Sequence, residues 1–340
     1  MAARITIADI AKAANVSKTT VSRYLNGNFG YMSAETRIRI EQIIERYDYR
    51  PNSIARTLKS KKSGMIGVIV DSLRYQVGAQ TVTGINNVCS ENGYSTIVYC
   101  SNNDPEIELK AIQQCLNQQV EGLIIIPCEN SIGRYEELYE RGLPIILCSR
   151  KIDNWSHGSV YVKHDELIRK MLNHLKEQGF EKCLFLLDIQ TYHKKWMANI
   201  FAQTAKKLFG MDYEESIVWL GRENPSVGEV IETYLKKDQG QPKAVMAVNT
   251  HTLFLVLQEI DQRKISVPDD LGVCGYDAVG WSELIKPGIT AIHQPMDLMG
   301  KIAAEKLMHI LRENDQIQGT TELEGRLFFR DSTKLKMIKP

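Results

Sequence analysis

Seven residues near the amino end, Ser17-Lys18-Thr19-Thr20-Val21-Ser22-Arg23, constrain this chain more than any other stretch. Ser17 is a good N-cap, and Val21 and Leu25 recur four residues apart, so a short helix with one apolar side is expected. Lys18, Thr19, Ser22 and Arg23 then point outward. Upstream, Thr6 can cap an earlier helix with Asp9 as its acidic partner three residues on, and Ile7, Ile10 and Ala11 form one apolar stripe. Asn15-Val16 makes the turn between them. Two helices joined in this way form a helix-turn-helix, whose second helix suits the major groove of DNA. Each outward residue on that helix can donate hydrogen bonds to base edges or phosphates.

Charge points the same way. Residues 1–62 carry twelve Lys and Arg against five Asp and Glu, whereas the remainder is net acidic, although the whole chain is only +1. A basic head on an acidic body suits a partner whose phosphates release counterions when neutralised. A three-helix domain with an ordinary solvated basic face is the competing reading.

Ser33-Ala34-Glu35-Thr36 opens a third helix, continued by Ile38, Ile40, Ile43, Ile44 and Tyr47. Pro51 breaks it. Residues 53–58 read as a helix too short to be stable alone in water, with Ile54 and Leu58 on one side and Arg56 on another. An apolar side chain on so weak a helix is a poor core element but a plausible minor-groove wedge. Lys59, Lys61, Lys62, Ser63 and Gly64 read as a basic linker. The expected divisions are a DNA-binding domain over 1–50, a hinge over 51–62 and a body over 63–340.

With these pieces assembled, the chain resembles the lactose/galactose repressor family of bacterial regulators along nearly its whole length. Ile7-Ala8-Asp9-Ile10-Ala11, Val16-Ser17, Thr20-Val21-Ser22-Arg23, Leu25-Asn26-Gly27, Tyr49-Arg50-Pro51-Asn52 and Ala55-Arg56-Thr57-Leu58 carry the likeness. The resemblance implies that Lys18, Thr19 and Arg23 read the major groove. It makes Leu58 a hinge leucine that meets its dimer mate in the minor groove of a pseudo-palindromic operator. Thr6, Ser17, Thr20, Ser22, Asn26, Asn52, Ala55 and Arg56 complete the expected DNA contacts. Ser22 through Gly30 is also similar to the ketodeoxygluconate and uronate branch of the family.

In the body, apolar runs recur between helical segments at Met65–Val70, Ser95–Cys100, Gly122–Ile126, Pro144–Leu147, Cys183–Leu187, Ala244–Val248 and Gly272–Gly275. Such runs read as buried parallel strands covered by helices, with ligands outside their carboxyl ends. Val120-Glu121-Gly122, Val267-Pro268-Asp269-Asp270, Gly275-Tyr276-Asp277 and Arg330-Asp331-Ser332-Thr333 continue the resemblance, which implies a bilobed fold similar to periplasmic sugar-binding proteins. The expected fold is thus an all-α helix-turn-helix head on an α/β bilobed body with two parallel sheets. One lobe is expected over about 63–161 plus 290–322, the other over about 162–289 plus 323–340.

Strand ends nominate Asp71, Ser149, Arg150, Lys163, Asn249 and Asp277 for an effector pocket, with strand or helix capping as the competing role for each. By resemblance Asn249 and Asp277 bond effector hydroxyls, and Gln294 lies on a crossover beside the cleft. Val162-Lys163 and Asn249-Thr250 replace more acidic pairs of the family, and Lys194 and Lys195 stand near a missing arginine. A cationic pocket is expected from this, and with it an acidic sugar such as a uronate derivative or 2-keto-3-deoxygluconate. A neutral sugar, a nucleobase, or control by a phosphoprotein partner are the alternatives.

An enzyme is not expected. The seven cysteines form no Cys-x-x-Cys pair, the histidines lack zinc-site spacing, and phosphate-loop, dinucleotide and nucleophile-elbow motifs are missing. No metal or cofactor is expected. Neither a signal peptide nor a membrane-spanning run is legible, so a cytoplasmic homodimer is the expectation.

Overall fold

A computed structural model describes residues 5–25, 27–49, 62–74, 76–221, 223–277, 280–313, 315 and 317–335. The chain divides into two compact units, Met1–Ser63 and Gly64–Pro340. Asn26, Asn52, Ala55, Arg56 and Leu58 lie outside the described residues.

In the first unit, α1 (Ile7–Ala13) begins with a complete capping box. The Thr6 hydroxyl accepts from the Asp9 amide at 3.4 Å, and the Asp9 carboxylate accepts from the Thr6 amide at 2.8 Å. Asn15 takes a left-handed φ of 52° in the turn. The helix α2 (Lys18–Leu25) is capped by Ser17, whose hydroxyl accepts from the Thr20 amide at 3.1 Å. Ser33 caps α3 (Ala34–Arg46) in the same manner. Ile10, Val21 and Ile40 are fully buried where the helices meet, with Val16, Leu25, Ile43 and Ile44 packed around the cluster. Ile38 is not part of this core: it is half exposed, because Ile40, Ile43 and Ile44 define a stripe that it falls outside.

In the second unit the order is β1 (Met65–Val70), α4 (Gln76–Glu91), β2 (Ser95–Cys100), α5 (Pro105–Asn117), β3 (Gly122–Ile125), α6 (Gly133–Glu140), β4 (Ile145–Cys148) and β5 (Ser159–Val162). The chain continues through α7 (His164–Glu177), β6 (Lys182–Leu187), α8 (Tyr192–Phe209), α9 (Tyr213–Ser216), β7 (Ile217–Trp219), α10 (Val227–Lys236), β8 (Lys243–Ala247), α11 (Thr250–Arg263) and β9 (Gly272–Tyr276). It closes with β10 (Thr290–His293), α12 (Met296–Glu313), β11 (Thr320–Leu323) and β12 (Arg326–Phe328). These strands form two six-stranded sheets, ordered β11-β5-β4-β3-β1-β2 and β12-β10-β9-β8-β6-β7. The first sheet is wholly parallel; the second departs from expectation at one edge, where β12 runs antiparallel to β10.

Six of the seven apolar runs occupy the sheet interiors, as continuous burial on both faces of parallel strands requires, whereas Ser95–Cys100 forms the edge strand β2 and is only half-buried. One lobe boundary needs correction. The sequence reading returns the chain to the first lobe at residue 290, yet Thr290–His293 pairs with β9 in the second sheet. Thr290, Ala291 and Ile292 are buried there, and the passage comes afterwards at Gln294-Pro295. Among the described residues the chain passes between sheets after β5, after β10, and between β11 and β12. In the first lobe α4 and α12 approach closely across Gly84 and Gly300. A Cβ on Gly84 would stand 2.1 Å from the Asp297 carbonyl oxygen, and one on Gly300 would stand 2.1 Å from that of Thr81.

Candidate functional site

On the first unit, burial of Val21 fixes which side of α2 faces outward. Ser17, Lys18, Thr19 and Arg23 are exposed, as is Thr6, while Thr20 and Ser22 are half-buried. The Ser17 and Thr20 hydroxyls bond each other at 2.9 Å, so both help to hold the start of the helix. The Arg23 guanidinium lies 4.8 Å from the centre of the Tyr31 ring, and that of Arg37 lies 4.0 Å from Phe29. Phe29 in turn meets Tyr24 edge-on at 5.8 Å. These cation–π contacts restrain long side chains before any partner arrives. The sequence reading missed Tyr31 and Arg37; aromatic residues interleaved with Arg on neighbouring elements were the available signal.

In the body, a cleft of about 440 Å³ opens between the sheets at the carboxyl ends of their strands. Asn130, Ser149, Lys151, Asp153, Tyr161 and Val162 line it from the first lobe. Lys163, on the passage, and Asp165, Glu166, Tyr192, His193 and Trp196 line it from the second, with Glu322 on β11 closing the edge. Thr191 caps α8 by accepting from the Lys194 amide at 3.2 Å, which sets Tyr192, His193 and Trp196 on the first turns of that helix.

Two lysines and four carboxylates make this lining acidic, so the expected cationic pocket is not found. Lys163 lies 3.8 Å from Glu166 and 3.7 Å from Glu322, which offset its charge. Tyr161 donates to Glu322 at 2.6 Å, Asn130 donates to Asp153 at 2.7 Å, and Arg169 donates to Asp165 at 2.7 Å. Lys151 makes no ion pair among the described residues and lies 5.9 Å from the Tyr161 ring centre.

Two neutral imidazoles stand here, His193 lining the cleft and His164 packed against it. His164 is buried and its Nδ1 lies 3.2 Å from the Tyr276 hydroxyl. Burial pushes its pKa down to about 4. His193 packs edge-on against His164 at 5.0 Å and stacks on Trp196 at 5.7 Å. Burial first, and then the neighbouring His164, Arg150 and Lys194, hold His193 well below the usual histidine range. Beneath the end of β3, Glu108 is fully buried. It accepts from the Tyr135 hydroxyl at 2.6 Å, the Cys128 amide at 2.8 Å and Arg134 at 3.0 Å. Burial and then this carboxylate push the Cys128 thiol up to about 12, so it is inert as a nucleophile.

Of the residues nominated from sequence, Ser149 and Lys163 line the cleft. Arg150 is buried and donates to Asp71 at 2.7 Å and to the Pro127 carbonyl at 3.0 Å, so these two nominees clamp the ends of β1 and β3. Asn249 caps α11, accepting from the Thr252 amide at 2.8 Å and donating to Asp188 at 2.8 Å; Asp188 also pairs with Lys194. Asp277 is buried, accepts from the Ser282 amide, and borders a separate cavity of about 480 Å³ with Arg326 and Arg330. Gln294 is buried on the passage after β10. Lys195 is exposed and lines neither cavity. Tyr192, His193 and Trp196 were missed; their position just after the apolar run of β6 was the usable signal.

Among the described residues no group of three or more His, Cys, Asp or Glu is placed to hold a metal ion, and no helix is long and apolar enough to cross a membrane. The pattern of bacterial regulatory proteins of the lacI family matches residues 6–52, and that of the periplasmic binding protein-like domain matches residues 172–333. The chain is 30% identical over 323 residues to the probable HTH-type transcriptional regulator EndR of Paenibacillus polymyxa, covering 92% of each. It is 28% identical over 336 residues to the HTH-type transcriptional regulator KdgR of Bacillus subtilis (strain 168), covering 96% of this chain and 97% of that one. Its fold is similar to that of the lac repressor dimer bound to operator and the anti-inducer ONPF, with a TM-score of 0.82 and 23% identity over 97% of this chain and 99% of that one. The capped two-helix reading head, the bilobed body and these full-length likenesses agree: the chain belongs to the lacI family of bacterial regulatory proteins and is a DNA-binding transcriptional regulator.

Proposed function

We propose that this regulator is a cytoplasmic dimeric repressor whose hold on a pseudo-palindromic operator is set by a polyhydroxylated, sugar-sized effector in the interlobe cleft. The observation that carries the reading is the cleft itself: about 440 Å³, with acceptors, donors and the partly exposed face of Trp196 converging from both lobes. Sugar hydroxyls find acceptors in Asp153, Asp165, Glu166 and Glu322, and the Trp196 ring suits the apolar face of a pyranose. Lys151, lacking an ion pair, favours one acidic group on that ligand, as in a uronate or 2-keto-3-deoxygluconate. A neutral sugar is the second reading, favoured by the four carboxylates. A solved relative of the same fold, CelR, is in complex with cellobiose. On the DNA side, Lys18, Thr19 and Arg23 on the exposed side of α2 enter the major groove, one α2 per half-site. The role is binding rather than turnover.

The test selects an operator from random duplexes and measures its affinity with and without D-glucose, D-gluconate, D-galacturonate and 2-keto-3-deoxygluconate. One of these is expected to change operator affinity by about tenfold or more, and operator must change that sugar's affinity by the same factor. Operator affinity indifferent to all four would refute the effector-gated reading. Tight binding of glucose alone would refute the acidic group while keeping the cleft.

A further inference from the structure

Arg23, in the last turn of α2, presents an exposed guanidinium. Among the described residues it makes no ion pair and no side-chain hydrogen bond; what it meets is the Tyr31 ring, 4.8 Å away at its centre. Tyr31 is 78% exposed and stands outside the apolar cluster around Ile10 and Val21, so it adds little to the three-helix core.

The turn that carries Tyr31 is held from both sides. The Asn28 amide donates to the Arg23 carbonyl at 2.9 Å, and the Met32 amide to the Phe29 carbonyl at 3.1 Å, which closes one tight turn over Phe29–Tyr31. Within that turn Phe29 meets Tyr24 of α2 edge-on at 5.8 Å, and the Arg37 guanidinium of α3 lies 4.0 Å from its ring centre. Phe29 thus anchors the turn to both helices, and Tyr31, two residues on, is set beside Arg23.

An unrestrained arginine samples many rotamers, and fixing it at a partner costs conformational entropy. Bidentate reading of guanine O6 and N7 demands one orientation of the N–H fork. A carboxylate could supply that order only by occupying the fork. The Tyr31 ring restrains the guanidinium through its charge and leaves the N–H donors without an oxygen partner.

We propose that Tyr31 is a positioning residue for base readout: its ring holds the Arg23 guanidinium ordered on the outward side of α2, so the fork meets a guanine edge with less freedom left to lose. The inference rests on the reading of Arg23 as a major-groove residue and deepens it. Tyr31 acts through Arg23, so its effect belongs to the base pair that Arg23 reads and not to the phosphates along the site.

The test uses the full chain at one salt concentration. Its probes are the operator selected from random duplexes, that operator with each base pair replaced in turn, and an unrelated duplex. Arg23→Ala locates the base pair that Arg23 reads, since discrimination disappears there. Tyr31→Ala should bind operator about two- to fivefold more weakly, the range of an exposed cation–π contact. It should lose discrimination at that base pair by the same factor, with affinity for the unrelated duplex unchanged. Tyr31→Phe keeps the ring and should match the wild type. Tyr31→Leu keeps apolar bulk without the ring and should match Tyr31→Ala. Added to Arg23→Ala, Tyr31→Ala should cost nothing further. A loss that persists in the Arg23→Ala background, or that falls equally on the unrelated duplex, overturns the proposal. So does wild-type binding by Tyr31→Ala or Tyr31→Leu, or a Tyr31→Phe protein as weak as Tyr31→Ala. An Arg23→Ala protein that keeps operator affinity and discrimination at every base pair refutes the major-groove reading of Arg23 itself, and the role of Tyr31 falls with it.

Discussion

Acid should loosen this body through one buried side chain, His164. The imidazole is 4% exposed at the start of α7, with Tyr276 at Nδ1, His193 at its edge and Asp165 as its neighbour in sequence. Burial also drives the Tyr276 hydroxyl upward, so that hydroxyl donates and the imidazole accepts. Protonating Nδ1 would remove the acceptor and bury a charge. The folded pKa of about 4 lies below the ordinary histidine value of 6.5, so the unfolded chain binds more protons between those limits. Stability from this group is therefore complete above pH 6.5 and declines as pH falls toward 4. At 1.36 kcal/mol per pH unit the full loss is about 3 kcal/mol, of which about 2 kcal/mol falls between pH 7 and 5. Burial of His193, whose pKa is also lowered, adds a loss of the same sign.

All four tryptophans, Trp155, Trp196, Trp219 and Trp281, lie in the body, so their fluorescence follows its unfolding without interference from the head. Urea titrations at pH 7 and pH 5 would compare the wild type with His164→Asn, which keeps an acceptor near Nδ1 but cannot take up a proton. The wild type should lose about 2 kcal/mol more than the variant between the two values. Carboxylates titrate in both proteins and cancel in the comparison. If the two proteins lose stability in parallel, to within about 0.5 kcal/mol, the imidazole is not held neutral by its burial and the linkage argument fails.

Three further outcomes follow from the packing. Glu108→Leu strands Arg134 and the Tyr135 hydroxyl, and should cost the body about 3–5 kcal/mol in the same fluorescence assay; Glu108→Gln, still an acceptor, should cost clearly less. Gly84→Ala sets a Cβ 2.1 Å from the Asp297 carbonyl, so α4 and α12 must separate, and a loss of about 2 kcal/mol or more is expected on urea unfolding. Ser17→Ala removes the cap at 3.1 Å from the Thr20 amide and should cost the head about 1 kcal/mol, read by far-ultraviolet dichroism of its helices, together with weaker operator binding.

Local rules made the head legible. Thr6 with Asp9, and Ser17 with Thr20, are contacts over three residues, so the spacing that suggests a cap also delivers it. The interior strands were legible for a related reason, since burial on both faces writes a continuous apolar run. Of the edge strands only β2 carries such a run. Thr320–Leu323 alternates exposed and half-buried positions, and Arg326–Phe328 is three residues long, so neither stands out from a loop. The passage after β10 was misplaced because Thr290–His293 gains its strand character from a slot beside β9, which no nearby residue announces.

The pocket was harder to read because charge there is a property of pairs. Lys163 read alone suggests an anion site. Its contact with Glu166 follows helix spacing and could be anticipated, but Glu322 arrives from β11, far along the chain. Asn249 likewise looks free until its carbonyl is found capping α11 and its amide donating to Asp188. Once such pairs are formed, a ligand hydroxyl approaching Asp153, Asp165 or Glu322 shares or exchanges a bond that already exists, and the net return per bond is small. An exposed ammonium without an ion pair surrenders only water to an incoming carboxylate, and a charge-assisted bond more than offsets that exchange. Selectivity should therefore reside less in the numerous carboxylates than in Lys151, which is exposed on the first-lobe side of the cleft. Lys151 lines the cleft from the first lobe and the exposed Trp196 from the second, so a ligand that pairs with one and packs on the other must bridge the lobes.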